Sequence, residues 1–241
     1  MSGDSGSQLG YRAWLYESYR SGFKGPAEDA GARRLDEVYG RFVKKPPTRV
    51  LELGAGAGEF VEWLSSRGVG EAWGVDNAAE QVEAARVRGR DVRRGDLFET
   101  LAACDDDSLE GLVALDVIEH LTRDQLIALA REASRVLAAG GVFLVQAPNG
   151  HALRVGPIWS SDLTHETLLS DETLAQLFAP VGMKLEEVWG VTPGFGKPTR
   201  AIRTILWKLA TCWPRFLDLV EAGRQMRVYE RVMCALIRKP R

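Results

Sequence analysis

The chain has 241 residues, of which 45% are hydrophobic and 27% charged, a composition typical of a globular protein. Its formal net charge of −2 argues against nucleic acid as a partner, because nucleic-acid binding needs a strongly basic surface. Its three cysteines are isolated in the sequence, so neither a disulfide framework nor a cysteine-based zinc site is predicted.

The first residues are polar and lack the apolar stretch of a secretory signal. No segment of the sequence is apolar and long enough to span a bilayer. We therefore expect a cytoplasmic protein. Residues 1–44 carry two amphipathic segments, at 11–23 and 35–42. They are expected either to cover a ligand site as a lid or to pack on the edge of a sheet.

Beyond residue 45 the predicted elements alternate between strand and helix. Helices are predicted at 59–67, 78–88 and 123–137, the last of them stopped by Gly140-Gly141. Strands are predicted at 49–53, 72–75, 91–95, 112–115, 142–145 and 184–190, followed within 228–237 by an antiparallel strand at the edge of the sheet. This alternation predicts a mostly parallel sheet with helices on both faces.

Residues 50–58, Val-Leu-Glu-Leu-Gly-Ala-Gly-Ala-Gly, form the most informative motif of the chain. A buried strand runs into a tight turn, where glycine allows the backbone to approach a ligand closely. The helix that follows directs free N–H groups toward the same place. The spacing is neither the G-x-G-x-x-G of dinucleotide sites nor that of a phosphate-binding loop with its lysine. Taken alone, the motif also fits a glycine-rich turn without a ligand.

Four acids lie at or just after the carboxyl ends of predicted strands. In an open α/β sheet, ligands bind at that edge. Asp76 follows the glycine turn by one strand–helix–strand unit, where a carboxylate can accept hydrogen bonds from both hydroxyls of a ribose. The alternative to a ligand-binding role at each position is an acid in a solvated turn, where aspartate is common. The four are Glu52, Asp76, Asp96 and Asp116.

These motifs resemble those of class I S-adenosylmethionine-dependent methyltransferases, over roughly residues 45–190 and again in the last strand. The most specific match is Leu115-Asp116-Val117-Ile118-Glu119-His120-Leu121, which is similar to the segment after strand four in quinone and small-molecule O-methyltransferases. The other matching segments are 50–58, 74–76, 95–97 and 135–141.

The resemblance implies a Rossmann-like α/β fold with a mostly parallel seven-stranded sheet and a helical insertion before the last strand. Its implied divisions are an N-terminal helical extension at 1–44, a cofactor-binding domain at 45–190, the amphipathic insertion at 191–227, and a final strand and tail at 228–241.

The resemblance also implies roles for individual residues. The methionine part of the cofactor would lie against the backbone of Gly54, Ala55, Gly56 and Gly58. Its amino group would lie near Glu52. Asp76, followed by Asn77, would hold the ribose hydroxyls. The adenine amino group would meet Asp96 and the Leu97 backbone, and the methionyl end would meet Asp116 and Val117.

The irregular segment 148–169, after the fifth strand, is expected to bind the acceptor, because long loops in compact domains are usually functional. His165 is the first candidate general base, with Asp162 or Glu166 orienting its ring; the alternative is a histidine that braces the next helix. His120 is the competing base, and a packed structural histidine is its alternative. A metal site from Asp162, His165 and Glu166 is not diagnostic, so no metal is predicted.

The run from Asp162 to Glu166 resembles bacterial methyltransferases of polysaccharide and glycan pathways. That resemblance implies O-methylation of a sugar hydroxyl. Trp159 close to polar groups suits a sugar physically, because an aromatic face packs on C–H bonds. A phenolic or quinone-like acceptor and a non-catalytic cofactor-binding module are the alternatives. The glycine spacing disfavours a third alternative, an NAD-dependent oxidoreductase.

Residues 202–220 carry an apolar stripe at helical spacing that is flanked by basic residues and broken near Pro214. Such a segment can lie on a membrane surface, cover the acceptor pocket or form a homodimer face. Ordinary packing against the domain is the plain alternative.

Overall fold

The computed structural model describes residues 31–194 and 198–241, so the amphipathic segment predicted at 11–23 lies outside the described residues. The strands, β1 to β7 in chain order, are Arg49–Leu53, Glu71–Asp76, Val92–Arg94, Leu109–Leu115, Leu137–Pro148, Lys184–Gly190 and Val232–Arg238. The helices, α1 to α9, are Ala32–Tyr39, Glu59–Ser66, Ala79–Val87, Leu97–Ala102, Arg123–Val136, Gly156–Trp159, Asp171–Phe178, Pro198–Ala210 and Cys212–Ala222. Short 3-10 helices cover Ile118–His120 and Ala179–Val181.

The strands form one sheet in the order β3-β2-β1-β4-β5-β7-β6. Strands β1 to β5 pair in parallel, whereas β7 is antiparallel to both β5 and β6. The order reverses between β1 and β4, and the carboxyl edge at such a switch point is where open α/β sheets bind ligands. The glycine turn after β1 and Asp116 after β4 both lie at this point.

Alternate residues along the strands face opposite sides of the sheet. Leu51, Leu53 and Leu112 belong to the core shared with α5 and α7, whereas Val50 and Val113 belong to the core shared with α1 and α2. Helices therefore cover both faces, as the alternation of elements predicted.

Helix α1 packs into the second of these cores rather than standing over the carboxyl edge. Its Leu35, Val38 and Tyr39 are buried, and the Tyr39 ring meets Phe60 edge-on at 5.1 Å. The Nε1 of Trp63 donates to Asp36 at 3.0 Å. Of the two alternatives for the segment at 35–42, a lid or a packed helix, the structure shows the packed helix. It packs against a face of the sheet and not against its edge.

Two local predictions were wrong. Strand β7 is not at the edge of the sheet: it lies between β5 and β6, and its apolar run is buried, which suits an interior position. Gly140-Gly141 does not stop α5, because the helix already ends at Val136 and Leu137 is extended. Gly140, at φ +83, instead bends the start of β5, and its N–H donates to Lys239 O.

Candidate cofactor and acceptor site

The three glycines of the turn all have φ between +54 and +77, a region that side chains other than glycine rarely adopt. A Cβ at Gly54 would meet Val117 Cγ2 at 2.5 Å, and one at Gly58 would meet Val92 Cγ2 at 2.8 Å. A Cβ at Gly56 would find nothing closer than Gln81 Oε1, at 3.8 Å. Gly54 and Gly58 are thus fixed by packing, and Gly56 borders open space that a ligand can fill.

Asp76 fastens the turn from the neighbouring strand. Its Oδ2 accepts a hydrogen bond from the Gly56 N–H at 2.8 Å, and its Oδ1 accepts one from the Ala78 N–H at 2.8 Å. The side chain is buried. Each carboxylate oxygen can accept a second hydrogen bond, so these contacts are compatible with the predicted ribose contact and explain how the turn is held.

Glu52 lies buried behind the same turn. Burial raises the pKa of Glu52 well above its ordinary value, the charges of Glu59 and Asp76 raise it further, and a backbone hydrogen bond with Val61 opposes them. Among the described residues, its Oε2 has no hydrogen-bond partner. A buried carboxyl oxygen of this kind fits a ligand that brings an ammonium group.

Asp96 is the N-cap of α4. Its Oδ1 accepts from the backbone N–H groups of Phe98 at 2.8 Å and Glu99 at 3.2 Å, which is the local role that favours aspartate there. Leu97 is the first residue of the helix. The capping role is therefore observed, and the adenine contact remains a prediction.

Asp116 has φ +54, and among the described residues only Asp107 shares this conformation without being glycine. Its carboxylate accepts from Gln146 Nε2 at 3.0 and 3.1 Å, and Gln146 Oε1 accepts from the Tyr39 hydroxyl at 2.7 Å. Strained backbone held by such a network is frequent at functional sites. Gln146 was not predicted, although a polar residue inside an apolar strand was the available signal.

The loop after β5 docks on the segment after β4. The backbone N–H groups of Glu166 and Thr167 donate to the Glu119 carbonyl oxygen at 2.8 and 3.1 Å. This contact brings the two candidate bases together, with the His120 and His165 ring centroids 4.9 Å apart. Sequence analysis gives the two histidines as alternative candidates for the general base, and in the structure they lie in one cluster.

The neighbours of each ring fix which nitrogen carries the proton. His165 Nδ1 lies 2.9 Å from the Trp159 carbonyl oxygen, which can only accept. His120 Nδ1 lies 2.8 Å from Thr164 Oγ1, and that hydroxyl donates its own proton to Asp162 Oδ1 at 2.6 Å. Both Nδ1 atoms are therefore donors, and in the neutral rings both Nε2 atoms can accept a proton.

The predicted partners of His165 need a correction. The Trp159 carbonyl occupies its Nδ1, so neither Asp162 nor Glu166 orients the ring through that atom, and Asp162 acts on His120 through Thr164. Partial burial acts to raise the pKa of Asp162, but hydrogen bonds from Thr164 and the nearby histidines lower it overall. Ser170 caps α7 with its own side chain, so His165 is not the cap of that helix, and a bracing role stays the alternative to the general base.

Comparisons with known proteins show the family of the chain. A family model described as a methyltransferase domain matches residues 27–188, which is more than half of the chain. The chain therefore belongs to the family of class I S-adenosylmethionine-dependent methyltransferases, and S-adenosylmethionine is its cofactor.

One similar protein is a probable S-adenosylmethionine-dependent methyltransferase of Mycolicibacterium smegmatis, 33% identical over 68% of this chain and 63% of that protein. The chain thus spans less than two thirds of this relative's length. Among solved structures, a methyltransferase of Archaeoglobus fulgidus has a TM-score of 0.64 at 19% identity, covering 95% of this chain and all of that one.

A third similar protein is phosphoethanolamine N-methyltransferase 2 of Haemonchus contortus, solved in complex with S-adenosylmethionine. Its TM-score is 0.61 at 18% identity, over 98% of this chain and 57% of that one. At such identities the two structures support the fold alone.

Proposed function

We propose that the protein transfers the methyl group of S-adenosylmethionine to a hydroxyl oxygen, and that a sugar hydroxyl is its acceptor. The observation that carries the proposal is the pair His120 and His165 at the carboxyl edge of the sheet. Their rings are 4.9 Å apart, and each Nδ1 acts as a hydrogen-bond donor, so the lone pair of each neutral ring is on Nε2. A hydroxyl is an acceptor that a base of this kind activates by removing its proton.

In this proposal the turn and the strand-end acids hold the cofactor. Gly56 provides the open space, Glu52 faces the cofactor's ammonium group, and Asp116 with Val117 lies at the methionyl end. The ribose and adenine contacts are assigned to Asp76 and to Asp96 with Leu97. The unpartnered oxygen of Glu52 and the absence of close neighbours at Gly56 support these roles.

S-adenosylmethionine supplies an activated methyl group. The chain's own part is to align the acceptor oxygen and to take its proton on Nε2 of one of the histidines. Asp162 contributes through Thr164, which holds His120 in the required tautomer. Trp159 contributes through its carbonyl oxygen and by stacking on His165, with ring centroids 4.9 Å apart.

The sugar acceptor rests on this same cluster. Trp159, the two histidines and Asp162 place an aromatic ring next to several hydrogen-bonding groups, the combination that suits a hydroxyl-rich ring. A phenolic or quinone-like acceptor is the alternative, because an aromatic acceptor can also stack on Trp159.

The proposal is tested by incubating the protein and S-adenosylmethionine with a panel of free hexosides, nucleotide sugars and lipid-linked glycans, and with catechols and hydroquinones. Release of S-adenosylhomocysteine with the sugars is expected. His165→Ala should lower this turnover far more than it lowers cofactor affinity, and His151→Ala is the matched control. Turnover with phenols alone would select the alternative acceptor, and cofactor binding without any turnover would favour a binding module.

We also propose that α8 and α9 rest on an anionic membrane surface. Their inner side is anchored by polar contacts, since Thr204 Oγ1 donates to Gly194 O at 3.1 Å and Trp207 Nε1 to Glu230 Oε1 at 3.0 Å. The apolar stripe faces outward and is more than two-fifths exposed: Ile202, Ile205, Leu206, Leu209, Trp213, Phe216, Leu217, Leu219 and Val220.

The charges on α8 and α9 favour an anionic membrane as the partner of the exposed apolar stripe. Helices α8 and α9 contain four basic residues, Arg200, Arg203, Lys208 and Arg215, against the two acids Asp218 and Glu221. Basic amphipathic helices with exposed tryptophan bind anionic lipid surfaces. No helix of the described residues is long and apolar enough to cross a bilayer. A lipid-linked sugar would meet the enzyme at such a surface, and a homodimer is the competing occupant.

A further inference from the structure

We propose that Glu119, His120 and His165 bind a divalent metal ion that receives the acceptor hydroxyl, an inference that rests on the proposed function for its role but not for its geometry. One ligand atom from each of the three residues lies within 4.8 Å of the others. The sequence predicts no metal, because the set Asp162, His165 and Glu166 is not diagnostic of one.

The spacing of the three groups is close to that of a metal site. Metal–nitrogen and metal–carboxylate distances of about 2.0–2.2 Å put neighbouring ligands of a tetrahedral ion roughly 3.4 Å apart. The three ligand atoms lie within 4.8 Å of one another, so ion binding would draw them together by up to roughly 1.4 Å. Both histidine side chains are half-buried, and rotation of their rings is the movement that the proposal requires.

The outer partners of the two histidines support the proposal independently. Metal-binding histidines almost always donate their other ring N–H to a carbonyl or carboxylate, which fixes the tautomer and aims the lone pair at the metal. The Trp159 carbonyl does this for His165 at 2.9 Å. Thr164 Oγ1 does it for His120 at 2.8 Å and passes the contact on to Asp162.

The position of Glu119 agrees with a cation as well. Its side chain is buried, with 2% of its surface exposed, in the middle of the 3-10 helix that ends at His120. Buried carboxylates are generally paired with a positive charge or bound to a metal. The same backbone carbonyl of Glu119 holds the acceptor loop through Glu166 and Thr167, so an ion here would join the two segments that form the site.

The donor set indicates the class of metal. Two imidazoles and one carboxylate suit borderline ions such as Zn²⁺, Mn²⁺, Co²⁺ and Fe²⁺ better than Ca²⁺, which prefers oxygen ligands alone. Three protein ligands leave at least one position open, which is the arrangement of catalytic rather than structural sites. The open position is where the acceptor oxygen would bind.

The ion would alter how the proton is lost, without changing the overall reaction. Coordination to a metal ion lowers the pKa of a bound water to about 7, and a bound alcohol is acidified in the same sense. The O–H bond breaks and its proton passes to solvent. The oxygen then forms a bond to the methyl carbon as the sulfur–methyl bond breaks. The products are a methyl ether, S-adenosylhomocysteine and one proton, and the ion is unchanged.

The test is a titration of the chelator-treated full chain with Co²⁺ and Zn²⁺, followed by calorimetry and by the visible absorption of Co²⁺. One ion per chain is expected for the wild type. His165→Gln, His120→Gln and Glu119→Gln should each weaken binding by more than about 100-fold, beyond the 10–100-fold typical of losing an outer partner. Retained binding of S-adenosylhomocysteine will show that each variant is folded.

The matched control is His151→Gln. His151 is the remaining histidine of the three in the chain, and it pairs with Asp171 at 3.3 Å outside the cluster. This variant should bind the ion like the wild type. No binding by the wild type, or equal loss in the His151 variant, would overturn the proposal.

Failure of the metal site and failure of the proposed function give different results. Sugar methylation that continues undiminished in excess chelator would reject the ion and retain the histidines as bases. Stoichiometric ion binding with no methylation of any hydroxyl acceptor would retain the site and reject the function.

Discussion

The backbone N–H of Gly56 donates a hydrogen bond to Oδ2 of Asp76 at 2.8 Å, which joins the turn after β1 to the end of β2. The contact connects two motifs that the sequence shows only as separate patterns. It fixes the turn at Gly56, the one of its three glycines where an added Cβ would meet no atom closer than 3.8 Å. Any ligand in that space is therefore next to a carboxylate that already has a defined orientation.

Replacing Gly56 by alanine should weaken cofactor binding much more than folding. Gly56 has φ +54 and no neighbour within 3.4 Å of the added Cβ, so the cost in folding is the backbone strain of about 1–2 kcal/mol. The methyl group would occupy the space assigned to the cofactor. Calorimetry with S-adenosylhomocysteine, together with thermal unfolding, measures both effects.

Gly68→Ala is the matched control for this prediction. Gly68 has φ +83 and nothing within 4 Å of the added Cβ, but it follows α2 away from the turn. It should show similar strain and unchanged affinity. Gly54→Ala should destabilise more strongly, because its Cβ would meet Val117 at 2.5 Å. Equal affinities of the Gly56 and Gly68 variants would contradict the assignment.

Asp96→Asn separates the capping role of Asp96 from its proposed contact with adenine. Asparagine caps helices as well as aspartate does, so the free energy of unfolding should change by less than about 0.5 kcal/mol. The amide oxygen would stay with the cap and leave an N–H₂ group facing the adenine amino group. Affinity for S-adenosylhomocysteine should then fall about tenfold, as for the loss of one hydrogen bond to a charged group.

Asp96→Ala should lose the cap as well, with a cost of about 1 kcal/mol in stability. An Asp96→Asn variant that binds the cofactor product like the wild type would remove the adenine role and leave only the cap.

Glu52 should make the cofactor-free protein less stable as the pH rises. Burial raises the pKa of Glu52 in the folded state above its ordinary value of 4.5, so the folded protein binds more protons than the unfolded chain above that pH. The contribution of Glu52 to the free energy of unfolding is therefore fully present below pH 4.5, and it is lost as the pH rises through the pKa of Glu52 in the folded state. Glu52→Gln should remove this part of the decline.

Urea unfolding of the wild type and Glu52→Gln, between about pH 5 and about pH 8, measures the slope. The exposed Glu99 offers the control substitution Glu99→Gln, which should leave the slope unchanged. If Glu52→Gln and the wild type lose the same stability over this range, Glu52 does not titrate as described.

The exposed stripe on α8 and α9 should bind vesicles that contain anionic lipid. Leu209→Glu combined with Phe216→Glu adds two negative charges and removes two apolar contacts, so sedimentation with phosphatidylglycerol vesicles should be lost. Both side chains are more than half exposed, at 64% and 53%, so folding should be retained. Val87→Glu, at a position that is 73% exposed on α3, is the control.

Raising the salt concentration should weaken this binding, because exposed charges are screened. Failure of the wild type to sediment would reject the membrane proposal. A monomer–dimer equilibrium that the double variant abolishes would instead assign the stripe to a second copy of the chain.

Most of the fold could be predicted from sequence patterns that span only a few residues. Strand β1, the glycine turn and the start of α7 at its Ser170 cap were predictable because periodicity, glycine and capping residues act over a few positions. The position of β7 was not, because strand order depends on pairing between distant segments. The same reason explains Gly140, whose partner is Lys239 near the end of the chain.

The candidate site shows the same division. The strand-end acids were found from their positions, but which glycine borders open space depends on Val117 and Val92. His120 and His165 lie in one cluster because backbone N–H groups of the acceptor loop donate to the Glu119 carbonyl. Backbone hydrogen bonds of this kind cannot be predicted from residue types. For the same reason the sequence did not indicate this contact of Glu119.

A crystal structure of the full chain with S-adenosylhomocysteine would test the proposed site most directly. We predict the homocysteine part beside Gly56, the ribose at Asp76, and the sulfur facing the cluster of His120 and His165. A nucleoside bound elsewhere, or a sulfur turned away from both histidines, would contradict the assignment of the acceptor side.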